Sequence, residues 1–167
     1  MYIIENKLDT PQDLVNHLTK TFKAQATISD VSYNIFVVCH SEVVETLTCF
    51  ADSTMFNKCC DDLIKCMDIA SNEGSCSELC WAGLRLIIRK VVIGDNIYYV
   101  SVDKFMLDTD SQVLNEEEIS KEVKDKVILE HFHSIFYGVP VLTNTEVNKM
   151  LDIMEQCLKE FYELGNL

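Results

Sequence analysis

Thiols are the side chains with the clearest chemical potential in this sequence, because eight cysteines occur among its 167 residues. Cys76 and Cys80 have a spacing that zinc ligands use, and Cys59 and Cys60 could add two more thiolates. The sequence contains no pair of Cys-x-x-Cys motifs, and the adjacent Cys59 and Cys60 would point to different faces of a helix. We therefore expect thiols that line or brace a pocket without a cofactor. Zinc (Zn) on Cys59, Cys60, Cys76 and Cys80 is the alternative.

Catalysis is not indicated by the sequence. A cysteine nucleophile needs a base, commonly histidine, and the four histidines are scattered, with no local motif that ties one of them to a cysteine. A Gly-rich phosphate loop, a His-Glu-x-x-His motif and a nucleophile elbow are also missing from the sequence. We therefore predict that the protein is not an enzyme.

The charge balance and the apolar runs limit the partners of the chain. With 14 basic and 27 acidic residues its net charge is −13, and such a field repels a phosphate backbone, so we expect no nucleic acid on this domain. The N-terminus lacks the pattern of a signal peptide, and the longest uncharged apolar run is interrupted by Asp95 and is too short to span a bilayer. We predict a cytoplasmic protein with no membrane contact and with reduced thiols.

The first elements that would position these residues are a helix, a hairpin and a second helix. Thr10 and Pro11 are typical of a helix start, and "QATISD" and "YNIFVV" read as two strands joined by a turn. An apolar stripe at helical spacing follows over about residues 54–71, and Gly74 is placed to cap it. This second predicted helix carries Cys59 and Cys60.

The C-terminal half predicts a second hairpin and two more helices. "LRLIIRKVVI" and "NIYYVSVDKFML" are dense in strand-forming residues and flank a turn at Gly94. Asn115 can cap an acidic helix, and Thr143 with Glu146 can form the capping box of the last one. The sequence therefore predicts one domain over residues 1–167 of α+β class. Its outline is PAS- or GAF-like, an antiparallel sheet flanked by helices with a long C-terminal helix.

The last helix carries a near-heptad apolar stripe from Val147 to Phe161. Such a stripe packs either on its own domain or against another copy of the chain. We predict a homodimer that uses this helix or the first one.

A small-molecule pocket is predicted on the second hairpin. Period-two alternation puts Leu84, Leu86 and Ile88 on one face of one strand, and Tyr98, Val100 and Val102 on one face of its neighbour. We expect one sheet face to enclose a cavity closed by the helix with Cys59 and Cys60. Cys80 and Trp81 would stand at its rim, and Asp30 could hydrogen-bond a polar solute. No cluster of Arg or Lys is available for a phosphate, so a small, neutral or weakly polar ligand is expected.

Several short motifs of the chain occur together in one known family. They are "TISD" ending at Asp30, "TCF" with Cys49, a second cysteine at Cys59 or Cys60 with acidic residues after it, "LCWAGL" with Cys80, the "VVIGDNIYYVSV" hairpin and "VPVLTNTEVNKML". With these motifs the chain resembles the PocR sensory domain, a PAS-like ligand-binding module. The Cys-x-Ala-Gly-Leu motif is the most specific of them, although Trp81 stands where the family usually has His.

The resemblance implies a sensor of short hydrocarbon derivatives such as diols or glycerol. It also implies an AraC-type DNA-binding domain or a histidine kinase outside this chain, to which the sensor signals. Gly83 would allow close approach of the backbone to a ligand or a neighbouring strand. The ligand-binding residues that we expect on this basis are Asp30, Cys49, Phe50, Cys59, Cys60, Cys80, Trp81, Gly83 and Tyr98. A cysteine-based metal or redox sensor is the alternative function.

Overall fold

The structure is a computed structural model. It describes residues 10–22, 24–32, 34–39, 53–110, 116–122, 126, 129–130 and 138–165. The helices in this part are α1 (Pro11–Phe22), α2 (Ser53–Glu73), α3 (Glu116–Glu122) and α4 (Asn144–Glu163). The strands are β1 (Gln25–Asp30), β2 (Ile35–Cys39), β3 (Ser75–Leu79), β4 (Arg85–Ile93), β5 (Asn96–Leu107) and β6 (Val141–Leu142). Two of the expected site residues, Cys49 and Phe50, lie outside the described residues.

The sheet is antiparallel except at one end. Its strands lie in the order β2–β1–β5–β4–β3, and the short β6 runs parallel to the end of β5. Helices α1 and α4 pack on one face of the sheet, and α2 packs on the other. The predicted α+β class, with helices flanking an antiparallel sheet and a C-terminal helix, is confirmed. None of the described helices is long and apolar enough to cross a membrane.

The helix ends carry the capping residues that the sequence predicts. Thr10 Oγ1 accepts a hydrogen bond from the backbone N–H of Asp13 at 3.2 Å, at the start of α1. Helix α2 ends at Gly74, which has a φ of 89° and donates its N–H to the carbonyl of Ala70. The capping box predicted for α4 is present. Local sequence therefore fixes where these helices begin or end.

The larger apolar core lies between the sheet and helices α1 and α4. Leu14 and Leu18 of α1 are buried there against Val100 and Val102 of β5. The stripe of α4 contributes six buried residues, namely Val147, Met150, Leu151, Met154, Leu158 and Phe161. Because this stripe packs on its own sheet, it is not the exposed seam on which the homodimer prediction was based. The homodimer itself stays a prediction.

The smaller core lies between α2 and the opposite face of the sheet. Cys66, Met67 and Ala70 of α2 pack there against Leu86 and Ile88 of β4. The burial of these apolar groups holds α2 on the sheet next to the polar surface described below.

The hairpin predicted from Leu84 to Leu107 is confirmed as β4 and β5. The two residue sets predicted on it lie on opposite faces of the sheet. Leu86 and Ile88 face α2, whereas Val100 and Val102 belong to the core under α1 and α4. Leu86 is paired with Asp103 and Ile88 with Ser101, so the β5 residues under α2 are polar.

Candidate functional site

A partly enclosed cavity of about 70 Å³ lies between α2 and the sheet. Its roof is formed by Leu63 and Met67 of α2. Its floor is formed by alternate residues of β1 and β5 together with Ile88 of β4. A cavity therefore lies beneath the helix that carries Cys59 and Cys60, where one was predicted, but of the six strand residues named for it only Ile88 lines it.

The floor of this cavity is polar. Three cross-strand pairs build it, since Gln25 lies opposite Asp103, Thr27 opposite Ser101 and Ser29 opposite Tyr99. Gln25, Thr27, Ser29 and Ser101 are all buried, with relative exposures of 9%, 9%, 7% and 7%. We call these six residues the polar floor. Buried polar groups need hydrogen-bond partners, so a polar face under a helix is a costly feature for a fold to carry.

The polar floor follows from strict alternation in two neighbouring strands. In β1 the apolar residues Ala26 and Ile28 point into the larger core, and in β5 Val100 and Val102 do the same. The residues between them must then point to the other side, because side chains alternate along a strand. Each strand thus separates an apolar face from a polar one.

One buried oxygen of the floor has no hydrogen-bond partner among the described residues. Asp103 Oδ2 accepts a hydrogen bond from Gln25 Nε2 at 3.2 Å, whereas no described residue donates to its buried Oδ1. Lys104 Nζ donates to Gln25 Oε1 at 2.9 Å. The side-chain amide of Gln25 therefore lies between the ammonium group of Lys104 and the carboxylate of Asp103, and it is hydrogen-bonded to both. This oxygen, Asp103 Oδ1, is closed off from water, and leaving it without a donor makes the ionised carboxylate costly at this place in the cavity lining.

The backbone of Lys104 is in the left-handed region, with a φ of 58°. Arg85 is paired with Phe105 and Leu86 with Asp103, so Lys104 is the extra residue of a β-bulge. Bulges of this kind redirect side chains and are common beside functional sites. Here the bulge lies directly after Asp103, at one end of the polar floor.

Burial raises the pKa of Asp103 to about 6, although the charge of Lys104 and the backbone N–H of Asp103 itself act to lower it. The cost of removing the carboxylate from water thus exceeds the stabilisation that its neighbours provide. Asp103 is mostly ionised at neutral pH, but a modest acidification protonates it.

Helix α2 is fixed to the sheet on both sides of the cavity. Near its C-terminus, Lys90 Nζ donates to the carbonyl of Ser71 at 2.9 Å, and the backbone N–H of Lys90 donates to the carbonyl of Gly74 at 2.8 Å. Nearer its N-terminus, Asp62 Oδ2 accepts the backbone N–H of Trp81 at 2.7 Å, and Cys59 Sγ accepts the indole N–H of the same residue at 3.3 Å.

Trp81 and Cys80 belong to the turn that joins β3 to β4. Gly83 N–H donates to the carbonyl of Cys80 at 2.8 Å, and Cys80 N–H donates to the carbonyl of Leu84 at 2.7 Å. The φ of Gly83 is 87°, a conformation that glycine adopts without strain. The turn itself therefore accounts for Gly83, and close approach to a ligand is not needed to explain it.

A second cavity of about 190 Å³ adjoins the first and shares Met67 and Tyr99 with it. Val31, Asp68 and Ile97 are among its other lining residues. The two cavities lie on either side of the contact that α2 makes with Tyr99.

The described cysteines fall into separate groups. Cys66 of α2 and Cys76 of β3 are buried and hydrogen-bonded to each other, and burial is the main reason why both thiols have a raised pKa. Cys59 and Cys80 lie near the Trp81 turn, where burial raises the pKa of Cys80 to about 11. Cys59 is exposed at one edge, yet neighbouring protein atoms also raise its pKa by desolvation. Cys76 thus belongs to the Cys66 contact, apart from the other proposed zinc ligands.

A metal centre is not formed by the described part of the chain. Within it, no group of three or more His, Cys, Asp or Glu side chains could hold a metal ion.

Several expected ligand-binding residues lie away from the cavity lining. Asp30 Oδ1 accepts hydrogen bonds from the N–H groups of Ser32 and Asn34, and its Oδ2 accepts one from Asn34 Nδ2, so both oxygens hold the β1–β2 turn. These bonds, the Asn34 side chain first, lower its pKa. Tyr98 packs against the larger core on the opposite face, and its neighbour Tyr99 is the tyrosine of the floor.

The cysteine-rich end lies beside the cavity, and its residues do not form the lining. Cys59, Cys60, Cys80, Trp81 and Gly83 are not among the lining residues. The charges of Asp103 and Lys104 act on Cys59, so this thiol lies near the Asp103 end of the floor. Sequence reasoning missed the polar floor, although the alternation of "QATIS" and "YVSVD" contains its signal.

Comparisons of the chain with family models, with curated proteins and with solved structures found no match. The resemblance to the PocR sensory domain therefore stays an expectation.

Proposed function

We propose that this chain is a small-molecule-sensing regulatory domain. It binds a short hydrocarbon derivative, diol- or glycerol-like, under α2 and signals to an attached transcription-regulator or kinase domain. The observation that carries this proposal is the polar floor enclosed beneath an apolar helix face. A fold that needed only a core would place apolar groups there, as it does on the other face of the same strands.

The chemistry of the lining suits hydroxylated ligands. Thr27, Ser29 and Ser101 offer hydroxyl groups that donate and accept hydrogen bonds, and Leu63 and Met67 offer an apolar roof for a short carbon chain. The cavity volume of about 70 Å³ is about half of the ~150 Å³ that admits benzene in another protein. By that measure the first cavity suits a ligand of only a few heavy atoms, and a longer ligand would extend into the second.

Dimerisation and a cytoplasmic location are parts of the same proposal. Support for the location comes from six cysteines that are free thiols, namely Cys59, Cys60, Cys66, Cys76, Cys80 and Cys157, because free thiols fit a reducing compartment. A homodimer would bring two sensors to one output, through a surface other than the buried stripe of α4.

A ligand screen by thermal unfolding tests the proposal. Ethylene glycol, 1,2-propanediol and glycerol are expected to raise the melting temperature, and the rise should grow with ligand concentration because only the folded state binds. Ser101→Ala removes a hydroxyl from the floor and is expected to reduce the rise. The control Ser77→Ala removes a hydroxyl from an exposed position of β3 and should leave it unchanged.

No shift with any of these compounds, in a native protein that unfolds cooperatively, would refute the sensor proposal. An equal loss of the shift in both serine variants would place the binding site elsewhere.

Redox sensing is the second candidate, and the contact between Cys66 and Cys76 is the observation in its favour. The two buried thiols join α2 to β3, so oxidation to a disulfide by a peroxide would tie the roof of the cavity to the edge strand. Their raised pKa values weaken this candidate, because the thiolate is the reactive form.

A further inference from the structure

The Asp103 end of the polar floor carries a carboxylate, and a neutral ligand would not neutralise its negative charge. Asp103 lines the cavity, its Oδ1 has no donor among the described residues, and desolvation raises the pKa of the group to about 6. The last two observations describe an anion that its surroundings do not fully compensate. A ligand that brings a donor with positive charge would supply the larger part of what is missing.

The lining contains no cationic side chain that could take this place. The lining residues of the first cavity include neither Lys nor Arg. The nearest ammonium, that of Lys104, donates to Gln25 and acts on Asp103 only through its charge. The net charge of −13 also favours the approach of cations and disfavours anions.

The spacing of polar groups along β5 sets the length of the ligand. Asp103 and Ser101 point to the same face, two residues apart, and such positions are separated by roughly 7 Å along a strand. An ammonium group on Asp103 and a hydroxyl group on Ser101, each at a hydrogen-bond distance of about 3 Å, leave room for a two- or three-carbon linker. Thr27, opposite Ser101, offers a second partner for the hydroxyl group.

We propose that the ligand of this site is a small amino alcohol in its ammonium form, bound through the carboxylate of Asp103 and through the hydroxyl groups of Ser101 and Thr27. This inference rests on the proposed function and narrows its ligand class from neutral diols to hydroxylated ammonium ions. Asp103 is then a specificity-determining residue, because it distinguishes –NH₃⁺ from –OH at one end of otherwise similar molecules.

The test compares three molecules of nearly equal size by isothermal titration calorimetry at about pH 8, where Asp103 with a pKa of about 6 is ionised. They are ethanolamine, ethylene glycol and ethylamine. A charge-assisted hydrogen bond to a buried carboxylate should make ethanolamine bind at least about tenfold more tightly than ethylene glycol. Ethylamine should bind more weakly than ethanolamine, because it lacks the hydroxyl group.

Asp103→Asn keeps the shape of the side chain and removes its charge. In this variant the preference for ethanolamine over ethylene glycol should fall to within about twofold. The matched control is Asp95→Asn, which removes the same charge from the exposed β4–β5 turn and should keep the full preference. Circular dichroism and the melting temperature show whether each variant is folded.

The outcomes separate this inference from the proposed function. If ethylene glycol or glycerol binds and ethanolamine binds no more tightly, the amino-alcohol inference is wrong and the diol sensor stands. If none of these compounds binds, both are wrong. If Asp103→Asn does not fold, the comparison of ligands on the native protein still decides, and Ser101→Ala should weaken ethanolamine while leaving ethylamine unchanged.

Discussion

At the level of single residues, the ionised carboxylate of Asp103 is expected to lower the free energy of unfolding. Its pKa of about 6 in the folded protein lies above the ordinary value of 3.8, so the folded state binds more protons between these two pH values. Its contribution to the free energy of unfolding therefore falls as the pH rises from about 4 to about 6, and stays low above that. Among the described residues, the charge that acts on it is that of its neighbour Lys104, which lowers its pKa by less than burial raises it.

Asp103→Asn is accordingly expected to be more stable than the native protein at neutral pH, by at most about 3 kcal/mol, which corresponds to the full shift of its pKa. The difference should shrink towards pH 4. Urea unfolding of both proteins at several pH values measures it. A difference that stays constant over this range would show that the carboxylate is solvated in the folded state.

The residue scale also shows how far the sequence determines the site. Alternation in "QATISD" and "IYYVSVD" was enough to predict strands, and it separates Gln25, Thr27 and Ser29 from Ala26 and Ile28. It does not say which face meets which helix, because that depends on packing between distant parts of the chain. The sequence therefore predicts Tyr98 in the cavity lining, whereas the structure has Tyr99 there. A shift of one residue along a strand moves a side chain to the opposite face.

At the level of elements, the contact between α2 and β3 should protect two thiols. Cys66 and Cys76 are buried with raised pKa values, whereas Cys59 is exposed and accepts only the weak indole hydrogen bond. Iodoacetamide is expected to label Cys59 before Cys66 and Cys76 in the native protein, and to label Cys66 and Cys76 only when the protein unfolds. Mass spectrometry of labelled peptides gives the order.

Urea is the control for this labelling, since all the cysteines should react at similar rates in the unfolded chain. Fast labelling of Cys66 or Cys76 in the native protein would mean that α2 separates from β3 readily.

Helix boundaries, in contrast, were predictable in detail, because Thr10, Gly74 and the Thr143 capping box act within one turn of the chain. The bulge at Lys104 was not, because no local signal marks a non-glycine residue at a φ of 58°.

For the whole molecule, the burial of the α4 stripe predicts how a core substitution behaves. Met154 is fully buried, so Met154→Ala is expected to lower the free energy of unfolding by about 2–5 kcal/mol. The loss should be the same at low and at high protein concentration, because the stripe packs within one chain. Urea unfolding at two concentrations measures it, and Gln156→Ala, exposed on the same helix, is the control.

If the loss in free energy of unfolding instead grows with dilution, Met154 lies in an interface between two copies of the chain. The homodimer contact predicted from the heptad pattern of α4 would then be supported. The sequence could not separate these cases, since an apolar stripe has the same spacing whether it meets a sheet or a second helix. The partner surface, the face of β5 with Val100 and Val102, is distant in the chain and becomes its neighbour only in the fold.

Two attachments, one on each side of the cavity, hold α2 on the rest of the fold. Lys90 binds α2 near its C-terminus, and Trp81 binds it near its middle. The roof residues Leu63 and Met67 lie between these two contacts, which α2 makes through Asp62 and Ser71. Because both attachments would have to break before α2 could lift from the sheet, we expect the proposed ligand to enter from the side, past Val31 and Ile97, through the second cavity. Association would then need no slow opening step, and the observed rate should rise in proportion to ligand concentration without reaching a plateau.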